Sequence, residues 1–149
     1  MNGRLLLLSC SRQKRSGRAD LAALDRYDSP AFRVLRRYLR SGPPDAPMIR
    51  VLSAKYGLIS ADTVIDDYDV VMTRARAGEL RPIVLPILEA EIEATRPSKV
   101  FVHLPAVYRL ALAGFEKSLP ESSTLEDATG PPGRKLAALY RWLQGPTVD

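Results

Sequence analysis

Three short apolar runs, each followed by a polar loop, constrain the fold of this chain more than any other feature. The runs are Arg4–Ser9, Met48–Ser53 and Lys99–His103, and their continuous apolar character is typical of central strands in a parallel sheet. Segments with helical spacing separate the runs. Because strands alternate with helices along the chain, the sequence predicts a three-layer α/β fold, with a mostly parallel sheet of about four strands and helices on both faces.

Helical patterns fill the segments between the runs and also follow the last one. Asp28 or Ser29 can cap a first helix that starts at Pro30 and stops at Ser41-Gly42-Pro43-Pro44. A second helical pattern extends over about 78–95, and its two prolines are expected in the first turns or at a break between two pieces. The other predicted elements are a short helix at 106–115, a fourth strand at 123–126 and a final helix at 134–144.

Length and composition indicate one domain over residues 1–149, because 149 residues with 46% hydrophobic side chains can build one substantial core. The one cysteine, Cys10, cannot form an internal disulfide, and no stretch of about 20 apolar residues is available to span a bilayer. The apolar run Leu5–Leu8 is shorter than the apolar region of a signal peptide. We therefore expect a cytoplasmic protein with no membrane partner, while the oligomeric state stays open.

Positive charge is concentrated near the start of the chain. Residues 4–40 contain ten arginines and lysines against three aspartates, a local charge of +7, whereas the net charge of the chain is +5. Such a segment attracts polyanions, which favours nucleic acid or a nucleotide as partner; the alternative is a solvated helix face. The candidate nucleic-acid-binding residues are Arg12, Arg15, Arg33, Arg36, Arg37 and Arg40.

The loops after the three apolar runs are expected to form one site, because ligands of such folds bind outside the carboxyl ends of the parallel strands. In the first loop, Ser9, Cys10 and Lys14 can hold a phosphate or carboxylate together with backbone N–H groups, and an ordinary polar loop is the alternative. Cys10 fits a packed side chain better than a nucleophile, since the single histidine, His103, is its only possible imidazole partner.

The second loop begins with Ser53-Ala54-Lys55-Tyr56-Gly57, in which a lysine and a tyrosine directly follow an apolar run. Lys55 can neutralise a phosphate or a developing anion, and Tyr56 can stack on a base or ring. Ser53 and Gly57 are further candidate binding residues. The structural alternative is that Tyr56 covers the core while the Lys55 ammonium extends into solvent.

A compact acidic group follows in the same loop, where Asp66, Asp67 and Asp69 surround Tyr68. The three carboxylates are the candidate catalytic residues, because carboxylates can activate water, accept a proton or stabilise an oxocarbenium-like centre. Tyr68 is a candidate for substrate binding. No metal is expected, since no histidine or regular ligand spacing accompanies the group. The alternative is an acidic surface loop that faces the arginines.

The third loop starts at His103, which is either a satisfied strand-end histidine or a ligand-binding one. Tyr108 and Arg109 lie about one helical turn further along and can support stacking and phosphate contact. Near the end of the chain, Gly130-Pro131-Pro132-Gly133 opens a helix whose N-terminus can receive an anion.

Part of the second loop resembles a known family. The matching positions are Leu52 to Ile59, followed by Asp62, Ile65, Tyr68 and Met72, and upstream Tyr27 to Phe32. They resemble the YaaA peroxide-stress protein family, in which Leu-Ser-Gly-Leu-Tyr-Gly-Leu-Leu leads into an Asp, a Pro-Tyr-Arg and a Glu-Met. They are still more similar to small uncharacterised domains of phages and bacteria with a Ser-Ala-Lys-Tyr-Gly-Leu string.

This resemblance implies an α/β fold, a positively charged cleft and DNA or base binding, with Tyr56, Gly57 and Tyr68 as the shared residues. The chain departs from the YaaA pattern at Lys55 and Asp69. A second resemblance concerns the first loop, where a cysteine and a lysine are spaced like the Cys-x-x-x-Lys of archaeosine synthase, which adds lysine to a deazaguanine base in transfer RNA. The Pro-Tyr and Ser-x-x-His of that enzyme are missing here.

Charge and resemblance together predict a protein that acts on nucleic acid or a nucleotide. The first hypothesis is an enzyme without a cofactor that cleaves an N-glycosidic bond or modifies a base. The second is a non-catalytic DNA-binding or DNA-protection protein with an arginine face that contacts phosphates. This face consists of Arg33, Arg36, Arg37 and Arg40. A third is an interaction module whose basic face meets an acidic protein.

Overall fold

The computed structural model describes residues 3–16 and 21–145. In this part of the chain one sheet contains β1 (Arg4–Ser9), β2 (Met48–Ser53), β3 (Gly57–Ser60), β4 (Lys99–His103) and β5 (Thr124–Asp127). The order across the sheet is β3-β2-β1-β4-β5, and all neighbours are parallel except β2 and β3. The helices are α1 (Ala23–Arg26), α2 (Pro30–Arg40), α3 (Arg74–Thr95), α4 (Ala106–Arg109) and α5 (Pro132–Gln144).

Side chains of β1 enter both faces of the sheet, which explains its unbroken apolar sequence. Leu6 and Leu8 pack in a core that includes residues of α2 and α5, whereas Leu5 and Leu7 pack in a second core with α3. All four leucines are buried. The predicted α/β class, with three layers and a mostly parallel sheet, is therefore confirmed.

One edge of the sheet differs from the prediction, because β3 adds a fifth strand there to the four expected. Gly57 has a φ of +80°, a conformation that glycine adopts readily, and it turns the chain back so that β3 pairs antiparallel to β2. Leu58 and Ile59 were predicted only to follow a turn. Four residues alternating across the sheet are too few to give a clear strand pattern.

The prediction for the long helix was wrong at its start. α3 begins at Arg74 rather than near Gly78, because the hydroxyl of Thr73 accepts a hydrogen bond from the backbone N–H of Arg76 at 3.0 Å. Pro82 and Pro86 therefore lie in the helix interior, and they neither begin the helix nor break it in two. Both prolines are exposed, so water can reach the carbonyl groups that lose an N–H partner.

The helix predicted at 106–115 is also shorter than expected. α4 ends at Arg109, a 3-10 turn covers Leu110–Leu112, and Gly114 has a φ of +98° that no right-handed helix contains. At the other predicted boundaries the shifts are small. β5 lies one residue later than predicted, and α5 starts two residues earlier with Pro132 in its first turn.

The connections place a topological switch point between β1 and β4. From β1 the chain passes through α2 to β2 on one side of the sheet, and from β3 it passes through α3 to β4 on the other side of β1. Because β1, β2 and β4 are parallel, their carboxyl ends share one edge of the sheet.

Within residues 3–16 and 21–145, no helix combines the length and apolarity needed to cross a membrane.

Candidate ligand-binding site

An open cleft of about 460 Å³ lies where β1 and β4 end, beside the first turn of α2. This position is the switch point of the sheet, where ligands of open α/β folds bind. Two of the three predicted loops contribute to it directly. The lining residues are Ser9, Cys10, Ser11, Arg12, Gln13, Ser29, Ala31 and His103.

The electrostatics of this cleft favour a negatively charged ligand. Ser29 precedes α2 with an extended backbone, and Pro30 opens the helix, so the positive end of the helix dipole lies at the cleft wall. Arg12 is exposed and also lines the cleft. The Ser11 hydroxyl donates to the carbonyl of Gln13 at 2.7 Å, which fixes the turn that carries Arg12.

His103 forms the far wall of the cleft at the end of β4. Burial lowers the pKa of His103, and the positive charge of Lys135 lowers it further. The imidazole is therefore neutral at pH 7 and can both donate and accept one hydrogen bond. A neutral ring of this kind suits contact with a polar heterocycle better than it suits an ion pair.

A cluster of buried and half-buried hydroxyl and thiol groups lies behind the cleft. The Cys10 thiol and the Tyr108 hydroxyl form a hydrogen bond of 3.1 Å, and the Tyr68 hydroxyl bonds to both Tyr27 at 2.5 Å and Ser53 at 2.8 Å. Burial raises the pKa of Tyr27 to about 12 and raises the pKa of Tyr68 and Tyr108 as well. All three tyrosines are thus protonated at neutral pH and act as hydrogen-bond partners rather than bases.

Two of the predicted binding residues shape the second loop instead of facing a ligand. Ser53 is fully buried, and its hydroxyl accepts the backbone N–H groups of Lys55 at 3.2 Å and Tyr56 at 3.0 Å. Gly57 is buried too, and a Cβ atom there would lie 3.1 Å from a methyl group of Val84. Both residues therefore hold the turn that presents Lys55 and Tyr56.

Lys55, Tyr56 and Asp66 meet on the surface next to this turn. The Asp66 carboxylate accepts a short hydrogen bond from the Tyr56 hydroxyl, and the Lys55 ammonium lies 3.1 Å from its Oδ2. Hydrogen bonds from Tyr56 and then Lys55 lower the pKa of Asp66, and the bond to Asp66 raises the pKa of Lys55. Asp66 is consequently ionised at neutral pH and is not a proton donor.

Lys14 approaches the same place from the first loop. Its ammonium lies 4.4 Å from the ring centroid of Tyr68, and that of Lys55 lies 5.7 Å from the same centroid. The rings of Tyr56 and Tyr68 meet edge to face with centroids 5.5 Å apart. The predicted convergence of the first and second loops is therefore present in the structure.

The acidic group does not act as a unit in this structure. Asp66 is held by its two partners, whereas the side chains of Asp67 and Asp69 are exposed and make no hydrogen bond or ion pair with any residue in the described part of the chain. Within that part, no group of three or more metal-binding side chains is close enough to hold an ion. Asp66 is thus the member of the group that belongs to the site.

The predicted arginine face is incomplete, because Arg36 is buried. Its guanidinium donates to the carbonyls of Tyr27 at 2.7 Å and Leu24 at 2.9 Å, and to the Asp28 carboxylate at 2.5 Å. Arg36 therefore anchors the segment before α2 and is not available to a nucleic acid. The exposed arginines of the predicted set are Arg12, Arg15, Arg33, Arg37 and Arg40.

Arg109 also lies apart from the cleft. It donates to the carbonyl of Leu104 at 3.1 Å and to the carboxylate of Asp127, and it lines a separate cavity of about 30 Å³. Ser29 lines the cleft, although its sequence position predicted only a helix cap. Ser11 and Gln13 also line it, and both lie in the predicted first loop without an individual predicted role.

Comparison with known proteins assigns the chain to a family whose function is unknown. The model of DUF6884, a family of unknown function, matches residues 5–139. The crystal structure of AF0587, a protein of unknown function, is similar with a TM-score of 0.54 and 16% identity, covering 98% of this chain and 46% of that one. This chain thus spans less than half of that chain, and the likeness shows the fold alone. No curated protein matches.

These findings agree with the resemblance to small uncharacterised domains. They give no support to the more specific resemblances, to the YaaA peroxide-stress protein family and to archaeosine synthase.

Proposed function

The chain is a member of this family of unknown function, and we propose that it binds a nucleotide, free or within a nucleic acid, in the switch-point cleft. The observation that carries the proposal is the composition of the cleft wall. Arg12 and the first turn of α2 attract a phosphate, while Gln13 and His103 offer donors and acceptors for a base.

The dimensions of the cleft support this proposal. Its volume of about 460 Å³ falls within the range of about 300–1,000 Å³ that is usual for small-molecule sites. The segment 4–40, which supplies most of the wall, also carries the local charge of +7. Long-range attraction and local hydrogen bonds thus favour the same class of ligand.

We further propose that the protein carries out a chemical step on the bound nucleotide. Asp66, kept ionised by Tyr56 and Lys55, could stabilise positive charge on a sugar during cleavage of an N-glycosidic bond. Its lowered pKa argues against a role as proton donor. Mass spectrometry of nucleotides and DNA incubated with the protein tests this step, and the absence of any released or altered base would reduce the function to binding.

The exposed arginines of α2 favour a second candidate function, the binding of duplex DNA without catalysis. Arg33, Arg37 and Arg40 are exposed along this helix, although Arg33 also pairs with Asp28 at 3.4 Å. Contacts of these guanidinium groups with phosphates would give an affinity that falls steeply with salt. Duplex binding that is lost in an Arg37→Ala/Arg40→Ala variant, without any mononucleotide binding, would favour this candidate.

Isothermal titration calorimetry with nucleoside 5′-monophosphates tests the main proposal. We expect Arg12→Ala to weaken binding about tenfold, because a hydrogen bond to a charged group contributes about 1.5–3 kcal/mol. Arg40→Ala is the matched control, since it removes the same charge at the other end of α2. Equal losses in the two variants would indicate a general charge effect and would contradict binding in the cleft.

A further inference from the structure

We propose that Lys14, Lys55 and Tyr56 form a second subsite, for a phosphate group of the nucleotide, and that Asp66 fills part of this subsite while no ligand is bound. The inference rests on the proposed function and extends it. It gives the bound nucleotide a second anionic contact beside the cleft and assigns Asp66 the role of an internal substitute for the ligand.

Two positively charged side chains lie close to Tyr68 at the proposed subsite. The ammonium groups of Lys14 and Lys55 both lie within 6 Å of the Tyr68 ring centroid, at 4.4 and 5.7 Å. Lys55 pairs with Asp66, but Lys14 makes no ion pair with a residue in the described ranges 3–16 and 21–145. Of these two cations, only Lys55 is therefore neutralised by a carboxylate of the described residues.

The donors that bind Asp66 can also bind a phosphate. Its carboxylate accepts hydrogen bonds from a phenol hydroxyl, Tyr56, and from an ammonium group, Lys55. A phosphate oxygen accepts from the same donors, and a phosphate has more oxygens and more charge than a carboxylate. The donor set thus suits a phosphate, and Asp66 satisfies only part of it.

Asp66 can leave the subsite at a small cost in free energy. The Lys55 side chain is 38% exposed and that of Asp66 is 58% exposed, so the pair forms in a solvent-screened position. Exposed ion pairs contribute little to stability. An incoming dianion can therefore displace the carboxylate without disturbing the core.

The backbones of the two lysines are held in place. Lys14 forms an antiparallel backbone β-bridge with Tyr27. The Ser53 hydroxyl accepts a hydrogen bond from the backbone N–H of Lys55 at 3.2 Å, and the Arg76 guanidinium donates one to the Lys55 carbonyl at 3.1 Å. Only the flexible side chains need to adjust when a ligand enters. The two side chains therefore start from fixed backbone positions.

The experiment compares Asp66→Asn with the control Asp69→Asn. The control removes the same charge three positions further along the chain, where the Asp69 side chain is exposed and has no partner in the described chain. Binding of inorganic pyrophosphate and of nucleoside 5′-diphosphates, which carry a second phosphate for this subsite, is measured by calorimetry at fixed salt. We expect Asp66→Asn to bind both probes about threefold more tightly than Asp69→Asn, the effect of freeing Lys55 from an exposed ion pair. Lys14→Met and Lys55→Met should each bind about tenfold more weakly.

The outcomes separate this inference from the proposed function. If nucleotides bind but Asp66→Asn is no tighter than Asp69→Asn, the subsite is wrong and the cleft proposal stands. If pyrophosphate binds more tightly to Asp66→Asn while no variant binds nucleotides, the subsite stands and the proposed function fails. If neither probe binds any variant, both are wrong. Unchanged circular dichroism spectra confirm that the compared variants are folded.

Discussion

At the scale of single residues, similar side chains in the sequence have different roles in the structure. Arg36 and Arg37 are neighbours, yet Arg36 is buried against two carbonyls and Asp28 while Arg37 is exposed. Asp66 and Asp67 are neighbours too, and Asp66 alone is bound by a lysine and a tyrosine. Helical spacing and composition report which types of residue are present, but the partner of each depends on contacts between distant segments.

His103 gives a prediction about pH at this scale. Its folded-state pKa is lowered, so the unfolded chain binds the proton more readily below the ordinary pKa of 6.5. The associated stability is fully present above pH 6.5 and is lost as the pH falls toward the folded-state pKa. We expect the free energy of unfolding, measured with urea, to decrease from pH 7 to pH 5 in the native chain.

His103→Gln is the control for this prediction, because His103 is the only histidine in the chain. The variant should lose less stability over the same pH interval, since no other side chain has an ordinary pKa between 5 and 7. An identical decrease in both proteins would show that His103 is not held neutral by burial.

At the scale of elements, the strands were more predictable than the helices. β1, β2 and β4 coincide with the predicted apolar runs, because a strand covered on both faces needs apolar side chains at every position. α3 was harder to predict, since its start depends on the cap at Thr73. Its two prolines are also tolerated in the helix interior, because they lie on the solvent-exposed side. The cleft depends on where β1 and β4 end, so the reliable strand boundaries placed its first loop correctly.

Replacing the interior prolines of α3 tests this account of the helix. Pro82→Ala and Pro86→Ala should each raise the free energy of unfolding by about 1 kcal/mol or more, because alanine restores a backbone N–H and proline is the poorer residue inside a helix. Part of the gain is offset by the greater freedom of the unfolded chain. Urea denaturation measures the change, and Ile83→Ala, at an exposed position of the same helix, is the control. Lower stability in both proline variants would mean that the prolines support the helix.

At the scale of the whole molecule, the position of the site follows from topology and charge together. The strand order puts the switch point between β1 and β4, and the basic segment 4–40 forms most of the cleft wall. The α/β class and the loop after β1 were predictable from the sequence. The lining of the cleft was not, because Ser29 and His103 are distant in the sequence and meet only in the folded chain.

The most direct test of nucleotide binding in this cleft is an amide chemical-shift map. Heteronuclear NMR spectra of the ¹⁵N-labelled protein are recorded during titration with a nucleoside 5′-monophosphate. The account predicts that the largest shifts occur in residues 9–13, in the first turn of α2 and at His103, with smaller shifts at Lys14, Lys55 and Asp66. Shifts confined to α3 or α5, or no shifts at millimolar nucleotide, would contradict it.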